Sequence, residues 1–345
     1  MSERSESGDT GGGSGVAPAS HLMNLLIGKW CSAAVCVAAE LRVADLLAGG
    51  EQHVDALAHA TGSHGPSLYR LLRFLAALGV FTEVGPRVFA QTQVSALLRS
   101  DSPDSLWNDA MMFAGDWHWR VWGALGHTVR TGETAVDHLF GEDLFSYFAH
   151  QNSEAGEIFH RSLSSAPHQA VIDAYDFSDI SLLVDIGGGE GTFLNALVRA
   201  NPTMRGILFE RPEVIQDVRA RPEDFGLDDR IDLLGGDFFF EVPPADAYVL
   251  RNIIHDWSDE ESAGILANCR LALRAGGRVL VIEQVMPEWN QWSSLKLGDL
   301  EMMLLTHGRE RTEDEFRSLF AAGGLSLKRL IRTSSDLCIL EGVPL

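Results

Sequence analysis

Cysteine is scarce in this sequence, basic residues are outnumbered, and apolar runs are short. The 345 residues include four cysteines, Cys31, Cys36, Cys269 and Cys338, with no CxxC pair and no His/Cys spacing that suits zinc. This excludes a disulfide scaffold and predicts mostly buried free thiols in a reducing compartment. Lys and Arg total 27 against 48 Asp and Glu, a formal charge of −21. So acidic a surface repels phosphate backbones and anionic lipid, which argues against nucleic acid and membrane surfaces as partners. The most apolar early run, Trp30–Ala39, lies between Lys29 and Glu40 and has about half the length needed to cross a bilayer. Residues 1–20 are rich in Gly and Ser and lack an apolar stretch, so they read as a disordered tail rather than a signal peptide. A cytoplasmic protein is expected.

What is present is globular in composition, 46% hydrophobic and 22% charged, and long enough for two domains. Residues 21–100 read as helix, helix, helix, then a hairpin turning at Gly85-Pro86, the outline of a winged helix. The segment from Ser20 to Ser100 holds six Lys/Arg and five Asp/Glu, so it lacks the basic stripe of a DNA reader. Its first helices carry Leu22, Leu25, Leu26, Trp30, Val35 and Val37, more apolar surface than one such module can cover. That predicts burial against a second copy, a homodimer. Residues 101–180 are helical and aromatic, with Met111-Met112 and Trp117 as candidate walls of a pocket for a flat ligand. Residues 181–345 alternate β-rich runs with amphipathic stretches, the pattern of a parallel sheet covered on both faces, closed at one edge by a final hairpin. The expected fold class is α/β, a Rossmann-like domain preceded by an all-helical winged-helix-like dimerisation domain.

Chemistry concentrates at the carboxyl ends of these strands, where open α/β sheets bind ligands. Val184-Asp185-Ile186-Gly187-Gly188-Gly189-Glu190-Gly191 is a strand running into a glycine turn, where backbone amides can approach a ligand closely. A glycine turn alone also fits nicotinamide enzymes. Asp185 favours a ligand with a cationic amino group, because it would repel a pyrophosphate. Glu210 ends the next strand, 21 residues after Gly189, where a carboxylate can accept from both hydroxyls of a ribose. Gly235-Gly236-Asp237-Phe238 follows the third strand: Asp237 suits an adenine amino group and Phe238 its ring. His255 lies on the same rim, just before the capping box Ser258–Glu261, and a neutral imidazole there is a competent base. Glu283, ending the fifth strand, and Glu310, before a helix capped by Thr312 and Glu315, could each orient that imidazole.

These motifs together, LVDIGGGEGTF, FERPEVI, GGDFF, RNIIHDWSDEE, VLVIEQVMP and DLEMMLLTHGRERTEDEF, resemble the small-molecule O-methyltransferases of the plant caffeic acid and bacterial natural-product type. The similarity runs from residue 21 to the end. It implies S-adenosylmethionine as cofactor, no metal, and a small aromatic acceptor. It also implies that Gly187, Glu210, Asp237, Phe238 and Arg251 contact the cofactor and that Trp257 lies near the adenine; Asp185, Gly189 and Gly236 belong to the same cradle. His255 would be the base, with Glu283 and Glu310 as its partners. Met111, Trp117, Phe159, Asp256 and Met303 are expected along the acceptor pocket. There are departures: Glu210 stands where Asp is usual, Arg251 where Lys is usual, and His307 where Gly is frequent. N- or C-methylation, non-methyl chemistry on the same cofactor, or a non-enzymatic regulator are the alternatives.

Overall fold

The computed structural model describes residues 17–102, 104–164, 168–220 and 226–345, so most of the tail lies outside the described residues. The chain divides into two compact units that meet at Gly115/Asp116.

The first unit opens with the helix Pro18–Glu40, which has proline in its first turn, where a missing N–H costs nothing. It is 23 residues long and, by length and composition alone, could cross a membrane. The run Trp30–Ala39 understated it, because the helix begins at Pro18 and gains Leu22, Leu25 and Leu26. Those three residues and Trp30 are each more than half exposed, whereas Ala34, Cys36, Ala38 and Ala39 face the core. The helices Val54–Thr61 and Gly65–Ala77 follow. On the latter, Leu68, Leu72 and Leu75 point inward, while Leu78, past its end, is exposed. The hairpin forms as β2 (Phe81–Gly85) and β3 (Val88–Gln91), with β1 (Gln52–His53) pairing on β3. The unit therefore contains a small three-stranded sheet, order β1-β3-β2, besides its helices.

The second unit begins with short helices between Asp116 and Ala174. Its sheet comprises β4 (Leu182–Ile186), β5 (Arg205–Glu210), β6 (Ile231–Gly235), β7 (Ala245–Arg251), β8 (Leu273–Glu283), β9 (Leu325–Arg332) and β10 (Cys338–Pro344). The order is β6-β5-β4-β7-β8-β10-β9; β10 alone runs antiparallel to its neighbours, β8 and β9. Alternate residues serve opposite faces. Val184, Ile186, Tyr248, Leu250, Val279 and Val281 pack into one core, and Leu183, Ala247, Val249, Leu280 and Ile282 into the other. With both faces covered, a polar residue inside a strand is costly unless it has a use. The strand order reverses between β4 and β7, and open α/β sheets bind ligands beyond the carboxyl ends of the strands at such a point.

Candidate active site

Five strand ends supply the groups on this rim. The glycine turn after β4 is forced by close approach. Gly187 and Gly189 have φ of +67° and +58°, and a Cβ on Gly187 would lie 2.5 Å from Ile253. A Cβ on Gly236 would lie 2.4 Å from the Phe209 ring. Glu210 leans from the end of β5 onto this turn. Its carboxylate accepts from the N–H of Gly189 at 3.2 Å and from that of Arg211 at 2.8 Å. The Arg211 guanidinium sits 3.3 Å from Glu213 and no nearer than 4.0 Å to Glu210, so it is not the group that holds the Glu210 carboxylate in place.

Asp185 and Arg251 form an incomplete arrangement. Asp185 is 1% exposed and its Oδ2 has no hydrogen-bond partner among the described residues. Burial pushes its carboxyl up to about 7, against the pull of the Arg251 charge. Nε and Nη2 of Arg251 are likewise buried without partners. A buried acceptor and two buried donors left unmatched fit a ligand end carrying both an ammonium and a carboxylate, which is the amino-acid end of S-adenosylmethionine. Phe238 and Trp257 meet edge to face at 5.9 Å. Phe239 also meets Trp257, at 4.7 Å, and Phe145 lies tilted to it at 6.4 Å. Asp237 is exposed and caps its own turn, accepting from the Phe239 N–H at 2.8 Å.

His255 sits in a single 3₁₀ turn, Ile254–Asp256, entered through Asn252 in the left-handed region at φ 52°. Its Nδ1 is 2.9 Å from Glu310 Oε1, and its backbone N–H donates to Glu283 Oε1 at 3.1 Å. Nε2 lies 3.7 Å from Asp256 Oδ1. Glu283 is fully buried, Glu310 is 6% exposed, and each keeps one carboxylate oxygen without a hydrogen-bond partner. Burial alone would lower the imidazole pKa. The charge of Asp256, the hydrogen bond with Glu310 and the charge of Glu283 outweigh it and push His255 up to about 10. Burial in turn pushes Asp256 up to about 6 and Glu283 up to about 7, opposed in both cases by the charge of His255.

Trp117 and Phe159 are buried and share Phe148, at ring distances of 5.2 and 5.3 Å. The helices that carry Trp117 and Met303 are pinned together through Glu301, which meets His118 Nε2 at 2.8 Å and accepts from Trp122 Nε1 at 2.7 Å. Met111 belongs to the first unit. His307 reaches Asp137 at 3.0 Å. The sequence reading missed Asp299, which accepts the Glu310 N–H at 2.9 Å, and Arg311, whose side chain is wholly buried. Both stand inside a motif already singled out, and Phe239 directly follows Phe238, so adjacency was the available signal.

Two family descriptions match the chain: an O-methyltransferase dimerisation domain over residues 23–101 and an O-methyltransferase domain over 122–326. A phenazine O-methyltransferase of Lysobacter antibioticus is 43% identical over 336 residues, covering 96% of this chain and 98% of that protein. A phenazine-1-carboxylate N-methyltransferase of Pseudomonas aeruginosa is 31% identical, covering 92% and 95%. Among solved structures, LaPhzM superposes with a TM-score of 0.89 at 42% identity, covering 96% of this chain and all of that one. NcsB1 from neocarzinostatin biosynthesis, solved with S-adenosylmethionine and 2-hydroxy-5-methyl naphthoic acid, gives 0.79 at 31%, covering 91% and 96%. With a dimerisation domain, a methyltransferase domain and a rim whose unmatched groups suit the cofactor, the chain belongs to the S-adenosylmethionine-dependent O-methyltransferase family.

Proposed function

We propose that this enzyme methylates a hydroxyl of a small aromatic acceptor of the natural-product type, with His255 as general base. The supporting observation is the ring of His255 held at Nδ1 by buried Glu310, which leaves Nε2 as the nitrogen able to take a proton. When bound, S-adenosylmethionine supplies a sulfonium methyl group that an oxygen nucleophile can accept, leaving S-adenosylhomocysteine. Arg251 and Asp185 would hold the amino-acid end, Glu210 the ribose, and Asp237, Phe238 and Trp257 the adenine, around the cradle of Gly187, Gly189 and Gly236. His255 takes the acceptor's hydroxyl proton, Glu310 and Glu283 stabilise the resulting imidazolium, and the freed oxygen becomes the nucleophile. A base whose pKa is raised in this way acts from its neutral form, so turnover should rise with pH. Trp117, Phe159, Met303 and Asp256 would orient a flat acceptor so that the reacting atoms meet in line.

The exposed apolar face of Pro18–Glu40, in a segment matching a dimerisation domain, supports a homodimer formed through the first unit. Covering that face with a second copy accounts for the helix without a membrane and suits a cytoplasmic enzyme. A nitrogen acceptor is the second reading, favoured by the N-methyltransferase relative. His255→Ala should slow turnover by about 10²–10⁴-fold while S-adenosylhomocysteine binding by calorimetry is kept. Near-full activity of that variant would refute the base assignment. Mass spectrometry that locates the added methyl on nitrogen would replace the hydroxyl reading with the second one.

A further inference from the structure

Arg311 is a charged side chain with no exposed surface, in a position that neither cofactor nor acceptor chemistry requires. Burying a guanidinium is costly unless each edge is matched, and here every edge is. Nη1 donates to the Ile254 carbonyl at 3.0 Å, Nη2 to the Trp257 carbonyl at 2.9 Å, and Nε to Asp259 Oδ1 at 2.8 Å. Ile254 and Trp257 bracket His255-Asp256, so one rigid fork grips both ends of the turn that carries the base. A lysine ammonium is a point charge and has no such fork. Ser262, also buried, reaches the same two carbonyls, at 3.2 and 3.3 Å. The strand of chain leading to Arg311 is pressed against this turn as well: a Cβ on Gly308 would lie 1.9 Å from the His255 carbonyl oxygen. Arg311 is covalently next to Glu310, the partner of Nδ1. The guanidinium thus fixes where the imidazole is, and the adjoining backbone fixes where its carboxylate is.

We propose that Arg311 is a positioning residue for methyl transfer: by gripping the carbonyls of Ile254 and Trp257 it holds the His255 turn in register with Glu310. The proposal rests on His255 being the base. Two short segments 55 residues apart in sequence must keep a 2.9 Å contact, and the turn has only a 3₁₀ hydrogen-bond pattern of its own. Arg311 also opposes protonation of Glu283, whose Oε1 accepts from the His255 backbone N–H. Loosening the fork therefore disturbs both the place and the protonation of the base.

The test uses full-length Arg311→Lys and Arg311→Met, alone and combined with His255→Ala. In the single variants kcat should fall about tenfold to a hundredfold, as expected for an ångström-scale misplacement. Calorimetric affinity for S-adenosylhomocysteine should stay within about twofold, and the pH at which kcat rises should move. In the His255→Ala background neither substitution should lower kcat further, because there is no base left to position. Additive losses in the double variants, or single variants with unaltered kcat and pH profile, would overturn the proposal. If His255→Ala alone retains activity, the base reading fails instead, a result distinct from either. Should Arg311→Met not fold, Arg311→Lys and Asp259→Asn carry the test. Asp259→Asn frees the outer edge of the fork and should give a smaller loss of kcat in the same direction; unchanged kinetics in both would also refute the proposal.

Discussion

Replacing Glu310 with Gln keeps the shape of the side chain and removes its charge. The carboxylate lies 2.9 Å from Nδ1 in a buried setting, and hydrogen bonds to charged groups contribute about 1.5–3 kcal/mol. At about 1.36 kcal/mol per pKa unit, losing that charge should lower the His255 pKa by roughly one to two units. Because His255 is pushed up in the wild type, it sheds its proton only as pH rises well above the ordinary imidazole range. The variant should therefore reach its neutral form at lower pH, and the rise of kcat/KM with pH should move toward acid. The plateau should nevertheless be lower by about 10²–10⁴-fold, since an amide can present either its oxygen or its NH₂ to Nδ1 and stabilises an imidazolium poorly. Initial rates followed by chromatography of the methylated product between pH 5 and 10 would display both effects. A plateau loss with no acidward shift would mean that Glu310 acts only as scaffolding. An unchanged rate would remove it from the mechanism.

Asp185→Asn should weaken S-adenosylhomocysteine binding yet raise thermal stability at alkaline pH. The folded-state pKa of Asp185 is raised to about 7, so ionising it in the fold costs stability as pH climbs from the carboxylate range through 7; a melting-temperature gain that is the same at pH 4 and pH 8 would contradict this. Gly308→Ala should cut kcat by about tenfold or more with cofactor affinity kept, because the new methyl displaces the His255 carbonyl; wild-type kcat would show that the turn yields freely. Light scattering should return twice the single-chain mass of 37.7 kDa, and Leu26→Asp with Trp30→Asp should break the dimer; a single-chain mass for the unaltered protein would refute the homodimer.

Much of this rim was legible because each group sits at the end of a short apolar strand, where sequence pattern alone fixes its place. Asp185, Glu210, Arg251 and Glu283 all follow that rule. The capping boxes at Ser258 and Thr312 were readable for a similar reason, being local backbone chemistry, and both form. Long-range contacts were not readable. Nothing in the spacing of Glu301, His118 and Trp122 announces that they meet, since that depends on how two helices cross. The helical spacing was read on to Leu47, whereas the helix ends at Glu40 and Arg42, at φ 52°, separates it from Val43–Leu46. The proton affinity of His255 escaped too. An imidazole was expected near its ordinary pKa, and only the convergence of Asp256, Glu283 and Glu310 from separate segments raises it.

The placement of β10 between β8 and β9 has a consequence for how the enzyme matures. β9 precedes β10 in the chain but can join the sheet only across it, so the flank of β8 stays bare until Cys338–Pro344 has docked. Cys338 pairs directly with Glu283, the last residue of β8. That pairing covers the strand edge beside Glu283, whose carboxylate accepts the His255 backbone N–H. The glycine turn and Glu210, by contrast, need only β4 and β5, which are neighbours in sequence and parallel in space. Part of the cofactor cradle thus rests on pairing between strands close in sequence, whereas the Glu283 side of the base is covered by the last strand of the chain, a contact of longer range.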